Sequence, residues 1–190
     1  MVVWNKMFRR SFVVEEGLRY AASRSNNDVE FAVCALCTAR AITVVEEDLV
    51  TYRRNQGTAL TNTLEAAALD PVKTWVATRR ELERRHVLPR ISFANRAAMS
   101  ITYMLRNMTS YEGFKTAATY LRERGIKELG LNELTVRSPW QRAFFKALKD
   151  DGVEQALMVL MHETYAQQLA GKTKCDELLE EIDALRGRAS

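Results

Sequence analysis

Helical periodicity is the property of this sequence that most restricts its fold. Apolar residues recur every three or four positions through most of the chain, and no segment alternates apolar and polar residues over the length of a strand. Only eight glycines and three prolines interrupt the 190 residues. We therefore predict an all-α protein: a single multi-helix bundle of seven or eight helices over 1–190, in which any boundary between sub-lobes falls near 57–70.

The first third of the chain predicts two long helices and a short one. An apolar stripe at helical spacing predicts a helix over 2–24. Asn27 and Glu30 stand three residues apart, as in a capping box, and favour a second helix over 28–56. This second helix is predicted to be the longest and most apolar one. A short helix is predicted over 58–69.

Start and stop residues place the later helices. Asp70 and Pro71 predict a helix that begins at Pro71 and ends before Pro89, because a residue before proline disfavours helical backbone angles. An apolar face predicts the next helix over 93–108. The remaining predicted boundaries are an N-cap at Thr109 with Glu112, an end at Gly125, a start at Ser138 and Pro139, a junction near Gly152, and Thr173 as the N-cap of an acidic C-terminal helix over 173–187.

The charge of the chain is divided unevenly between its two parts. The formal net charge is +4, but residues 1–150 carry 24 basic and 16 acidic residues, whereas residues 151–190 carry 4 basic and 8 acidic ones. Arginine outnumbers lysine by 20 to 8. Guanidinium groups form paired hydrogen bonds with phosphates and carboxylates, so the composition favours a partner that presents such groups.

An arginine-rich segment, residues 79–96, is the strongest candidate binding site. Arg80 and Arg84 share one face of the helix that begins at Pro71, and positive charge continues past the end of that helix. Such a patch neutralises several phosphates at once, and Trp75 and Phe93 add base stacking if they are exposed. The predicted nucleic-acid-binding residues are Arg79, Arg80, Arg84, Arg85, Arg90, Arg96, Arg53 and Arg54.

A second interpretation of the same segment stays open. Glu81 and Glu83 lie among these arginines at spacings that allow ion pairs along a helix. In that case the cluster is an internally paired, solvated helix face, which is the usual arrangement for mixed charges.

Residues able to support catalysis or metal binding occur without the partners that such chemistry needs. Cys34 and Cys37 form a C-x-x-C pair inside the most apolar predicted helix, where core cysteines are expected. Glu83 and His86 have the spacing of a di-iron helix, but the second copy of the motif is missing. His162 begins a zinc-protease pattern that ends at an alanine. We therefore expect a non-enzymatic protein with no metal and no cofactor.

The N-terminal sequence indicates the compartment. Its arginines follow the apolar residues, and a small-residue cleavage site is missing, unlike in a secretory signal. The longest apolar run, 31–45, contains Arg40 and is shorter than the roughly 20 residues that span a bilayer. We expect a cytoplasmic protein that does not associate with membranes.

The segment "YEGFKTAATYLRERG", which follows a helix and a polar break, resembles the small helical subunits of CRISPR effector complexes. The resemblance covers 92–125. It implies a helical bundle that lines a multisubunit ribonucleoprotein and contacts the nucleic-acid backbone through basic residues without catalysing a reaction.

These observations favour a non-catalytic protein that binds RNA or single strands through arginines as a subunit of a ribonucleoprotein assembly. The alternative is a helical protein–protein adaptor or a self-assembling structural protein. In that alternative the arginines pair with acids of a partner or of another copy, and the acidic C-terminal helix complements the basic body.

Overall fold

The computed structural model describes residues 3–47, 50–51 and 67–188, the segment 174–188 as helix backbone alone. All regular structure in these residues is helical, so the predicted all-α class is confirmed. No helix in these ranges is long and apolar enough to cross a membrane. The helices are α1 Arg10–Glu15, α2 Val29–Thr38, α3 Asp70–Arg84, α4 Arg90–Arg106, α5 Tyr111–Tyr120, α6 Ile126–Leu129, α7 Pro139–Asp150 and α8 Val153–Arg188, with a π-helical turn, Leu121–Gly125, between α5 and α6.

Helix α3 occupies the centre of the fold. It packs against α2, α4, the π-helical turn and α6, and its Trp75 and Leu82 side chains are completely buried. On the other side of the bundle α7 packs along α8, and α8 also contacts α4 and α5. One contiguous apolar cluster extends from Leu18 to Leu160 and joins both groups of helices.

The prediction of one long N-terminal helix over 2–24 is wrong. Only α1 forms in this region, and it ends where Gly17 adopts φ +59°. The amide of Leu18 then donates to the carbonyl of Val13, a bond that closes the helix end. The apolar spacing correctly indicates which residues are buried, because Phe8 and Phe12 pack against the core. They reach it from a short helix and irregular segments and not from one long helix.

The second predicted helix is too long. Helix α2 ends at Thr38, Ala39 is extended, and 40–46 has no regular structure. This segment contains the β-branched run 42–45, whose side chains lose rotamer freedom in a helix. The last part of the predicted helix, and the short helix predicted over 58–69 up to residue 66, lie outside the described residues.

The break between α3 and α4 is where the prolines predict it. Helix α3 begins at Asp70 with Pro71 in its first turn, and it ends at Arg84, before Pro89. His86 adopts φ +57°, and the amide of Val87 donates to the carbonyl of Leu82. The helix therefore closes with a C-terminal motif in which histidine takes a place that glycine usually occupies.

Gly125 does not end a helix, as the sequence had suggested. The helical path continues through the π-helical turn and α6 and ends at Gly130, which has φ +66°. A Cβ atom on Gly125 would lie 2.8 Å from Val72 Cγ1 and 2.7 Å from Leu121 Cδ1. Gly125 is thus needed for close packing against α3. The N-cap of α5 is Ser110, whose Oγ accepts from the amide of Gly113, and not the predicted Thr109.

Helix α8 is continuous over 36 residues. The predicted start of α7 at Pro139 and the junction at Gly152, with φ +110°, are confirmed. The predicted N-cap at Thr173 is wrong, because Thr173 lies inside α8 and its hydroxyl donates to the carbonyl of Leu169. The acidic segment 173–187 therefore continues α8 and is not a separate helix.

Two glycine substitutions distinguish packing from helix propensity. Gly125→Ala is expected to lower the free energy of unfolding by about 1–3 kcal/mol, because the new methyl group overpacks the contact with α3. Gly171→Ala is the control: no atom lies within 4 Å of its added Cβ, so alanine stabilises α8 by up to about 1 kcal/mol. Urea titration followed by circular dichroism measures both. Equal effects of the same sign would contradict this interpretation.

Candidate functional site

The arginine-rich segment lies along the last two turns of α3 and the break that follows. Arg79 Nε donates to Glu83 Oε1 at 2.9 Å within α3. Arg80 Nη2 reaches Glu128 Oε2 on α6 at 2.6 Å. These two arginines therefore already pair with carboxylates of the same chain, one local and one distant in sequence.

Glu81 is the centre of the ion-pair network. Arg84 donates to it twice, from Nε to Oε2 at 2.8 Å and from Nη2 to Oε1 at 2.6 Å. Arg85 Nε donates to Oε1 at 2.7 Å. The hydrogen bond from Arg84, together with that from Arg85, lowers the pKa of Glu81 to about 2. Glu81 is therefore ionised over the whole physiological pH range.

Arg85 joins the end of α3 to the segment after α1. Its side chain is only 14% exposed. Nη1 donates to Glu16 Oε2 at 3.1 Å, and Nη2 donates to the Glu16 carbonyl at 2.8 Å. With its bond to Glu81, this guanidinium makes three contacts in a largely buried position. Its role in the described contacts is structural.

The ion-pair network around α3 carries equal numbers of positive and negative charges. The four arginines on α3 and at its end are matched by four carboxylates, those of Glu16, Glu81, Glu83 and Glu128. A balanced patch offers a phosphate backbone much less attraction than the sequence alone suggests. Nucleic-acid binding by these residues stays a prediction. The contacts present in the structure are ion pairs between these arginines and glutamates of the same chain.

Two other predicted site residues, Arg90 and Arg96, do not join this network in the described contacts. Arg90 is exposed at the first residue of α4. Arg96 is half-buried, and its Nη1 lies 3.6 Å from Met99 Sδ. Arg53 and Arg54 lie outside the described residues.

The two aromatic residues expected near the patch are core residues. Trp75 and Phe93 are 0% and 3% exposed, and their rings meet edge to face at 5.4 Å. Base stacking on these rings is excluded by their burial. The hydrophobic period of α3 and α4 accounts for them fully, since both lie on the faces that α3 and α4 turn towards each other.

The C-x-x-C pair behaves as core packing. Cys34 is buried in α2, and burial raises the pKa of its thiol to about 12; burial also raises the pKa of Cys37. Both thiols are therefore protonated at neutral pH and are poor nucleophiles or metal ligands. In the part of the chain that the structure describes, no group of three or more residues could hold a metal ion.

A groove lies beside α8. It encloses about 480 Å³ between the end of α4, the start of α5 and α8. Leu105, Phe114 and Leu157 supply apolar surface, and the exposed Met161 and Tyr165 also line the groove. Tyr111 donates its hydroxyl to Glu154 Oε1 at 2.8 Å, which holds α5 against the start of α8.

Helix α8 leaves the bundle beyond this groove. Over 153–173, where the side chains of α8 are described, Leu160 is the last buried residue and every residue from 165 to 173 is exposed. Apolar residues at helical spacing on and just before this stretch face solvent: Met161, Tyr165 and Leu169 are exposed by 59%, 67% and 54%. An exposed apolar stripe and a buried one have the same spacing in the sequence. Only the positions of the neighbouring helices distinguish the two.

Comparisons with known proteins add no relationship: no family model, no curated protein and no solved structure matches this chain.

Proposed function

We propose that this protein is a non-catalytic helical assembly protein that binds protein chains, including copies of itself, through α8. One observation carries the proposal: α8 is a single 36-residue helix, and Met161, Tyr165 and Leu169 lie exposed on it where it passes beyond its last buried contacts with the bundle. Apolar residues on a helix that projects into water are the usual mark of an interaction surface. The adaptor or self-assembly alternative is thereby favoured over the phosphate-binding one.

The charge distribution supports the same proposal. The four arginines on α3 and at its end form ion pairs with carboxylates of the same chain, so they contribute little to a net positive surface. The acidic residues of 176–183 are concentrated on the projecting part of α8 instead. An acidic helix with apolar positions suits association with another helix better than association with nucleic acid.

Light scattering coupled to size-exclusion chromatography tests the proposal. The protein is expected to have a mass above 21.7 kDa that increases with concentration. The double variant Met161→Asp/Tyr165→Asp is expected to lower that mass towards the monomer value, because it places charges on the exposed stripe of α8.

Helix α4 offers a matched control for this double variant. Met99 and Tyr103 are also a methionine and a tyrosine four residues apart, and they are 54% and 55% exposed. Met99→Asp/Tyr103→Asp is expected to leave the mass unchanged. A wild-type protein that stays at the monomer mass at every concentration, with no partner chain bound through α8, would overturn the proposal, as would an equal effect of the two variants.

Nucleic-acid binding is a second candidate, and one observation favours it. The side chains of Arg80 and Arg84 are 71% and 68% exposed, and exposed ion pairs contribute only about 0–1 kcal/mol, so phosphates can displace their acids. A place in a ribonucleoprotein, as the resemblance to CRISPR subunits implies, depends on this candidate. The absorbance ratio at 260 and 280 nm in the same chromatography tests it. A high ratio at low salt that falls after a high-salt wash supports it.

A further inference from the structure

The face of α8 that lines the groove continues along the projecting part of the helix. Leu157, Met161, Thr164 and Gln168 line the groove and follow each other at alternating spacings of four and three. This is the a/d spacing of a heptad repeat. The helix backbone is continuous to Arg188, so the same register extends to Gly171, Cys175, Leu178, Ile182 and Leu185.

We call this row of a and d positions the seam. The residue types in its second half favour a particular kind of partner. Leu178 and Leu185 occupy d positions, and the β-branched Ile182 occupies an a position between them. This combination favours two parallel strands over other coiled-coil arrangements. Gln168, at an a position, is a polar residue of the kind that fixes register at some cost in stability.

Flanking charges favour the parallel orientation. In a parallel pair a g residue faces the e residue five positions later on the other helix, so Glu181 faces Arg186 of the second copy. In the antiparallel register that keeps the same apolar layers paired, Glu181 would face its own counterpart. Lys172 would then face Arg186, and Lys174 would face Arg188. Each of these contacts joins like charges.

We infer that two copies of this chain associate through a parallel two-stranded coiled coil formed by the ends of their α8 helices. The inference rests on the proposed function and names the second copy as the partner. The seam is short, but α7, α4 and α5 already hold the first turns of each α8. Helix nucleation, the costly step in pairing isolated helices, is therefore complete before the copies meet.

Cys175 makes the geometry testable in the natural sequence. Equivalent a positions of a parallel pair face each other across its axis, so the two Cys175 residues come within disulfide range. Oxidation of the full-length protein with diamide joins the two sulfurs, and the diamide takes up the two electrons and two protons released. Non-reducing electrophoresis is expected to show a cross-linked dimer that Cys175→Ser abolishes and Cys34→Ser/Cys37→Ser leaves intact.

Substitutions further along the same helix supply an independent measurement. Ile182→Asp is expected to raise the dimer dissociation constant at least about tenfold, because it places a charge in the seam. Ala184→Asp, which adds the same charge at an outer position, is expected to change it little. Glu181→Lys weakens the dimer, and Glu181→Lys with Arg186→Glu restores it.

The outcomes separate the inference from the proposed function. A protein that is monomeric at all concentrations, with no partner chain on α8, contradicts both. A self-associating protein that forms no Cys175 cross-link and tolerates Ile182→Asp contradicts the coiled coil alone and leaves α8-mediated assembly through the groove in place. A cross-linked dimer with the predicted order of variants confirms the parallel arrangement.

Discussion

Replacing Arg85 by alanine is expected to lower the free energy of unfolding by about 2–3 kcal/mol. The side chain is 14% exposed and donates to the Glu81 carboxylate, the Glu16 carboxylate and the Glu16 carbonyl. Its removal leaves the Glu16 carbonyl without this donor and Glu81 with one cation fewer. It also breaks a link between the end of α3 and the segment after α1. Urea titration monitored by circular dichroism measures the change.

Arg84→Ala is the matched control for this measurement. Arg84 is the adjacent residue and binds the same carboxylate through two hydrogen bonds, but its side chain is 68% exposed. Exposed pairs contribute at most about 1 kcal/mol, so the loss should be much smaller than for Arg85. Two equal losses would show that burial does not decide the importance of these arginines. The structural role assigned to Arg85 would then be wrong.

Stability is expected to fall in acid through Glu81. Its pKa is about 2 in the folded protein against an ordinary value of 4.5, chiefly through the hydrogen bond from Arg84. The lowered pKa stabilises the fold fully above pH 4.5, and this contribution disappears as the pH falls from about 4.5 towards 2. Solvent screening limits it to about 1–2 kcal/mol.

Glu81→Gln isolates this contribution. The variant is expected to be less stable than the wild type at pH 7 and to lose less stability between pH 5 and 2.5. Glu30, nearby on α2, has the opposite tendency, because burial raises its pKa. The charge of Glu81 also contributes to that shift, so the two proteins are compared in a Glu30→Gln background, from which this effect is absent. Parallel pH curves for the two proteins would contradict the assignment to Glu81.

The class of the fold and several helix ends could be predicted because they depend on local chemistry. Pro71 and Pro139 fix helix starts through their own backbone angles, and the α3–α4 break follows from Pro89. The pairing of arginines with Glu81 and Glu83 was an open alternative for the same reason, since those spacings of three and four lie on one helix.

Features that depend on distant segments could not be predicted. Glu16 and Glu128 neutralise arginines that lie 69 and 48 residues away in sequence. Gly125 resembles a helix stop, but its role is set by Val72 on another helix. The apolar spacing near residue 8 indicated burial correctly and secondary structure incorrectly, because burial follows from the finished packing and not from local helix formation.

The continuity of α8 gives the molecule a fixed reach. A helix rises about 1.5 Å per residue, so the stretch from Gln168, which still lines the groove, to residue 188 holds the tip of α8 about 30 Å from the bundle. Whatever binds at the tip is kept at that distance, and residues inserted into or deleted from 165–174 would change both spacing and direction, by about 100° per residue. The part of α8 beyond Gln168 is thus a spacer whose length is set by its number of residues.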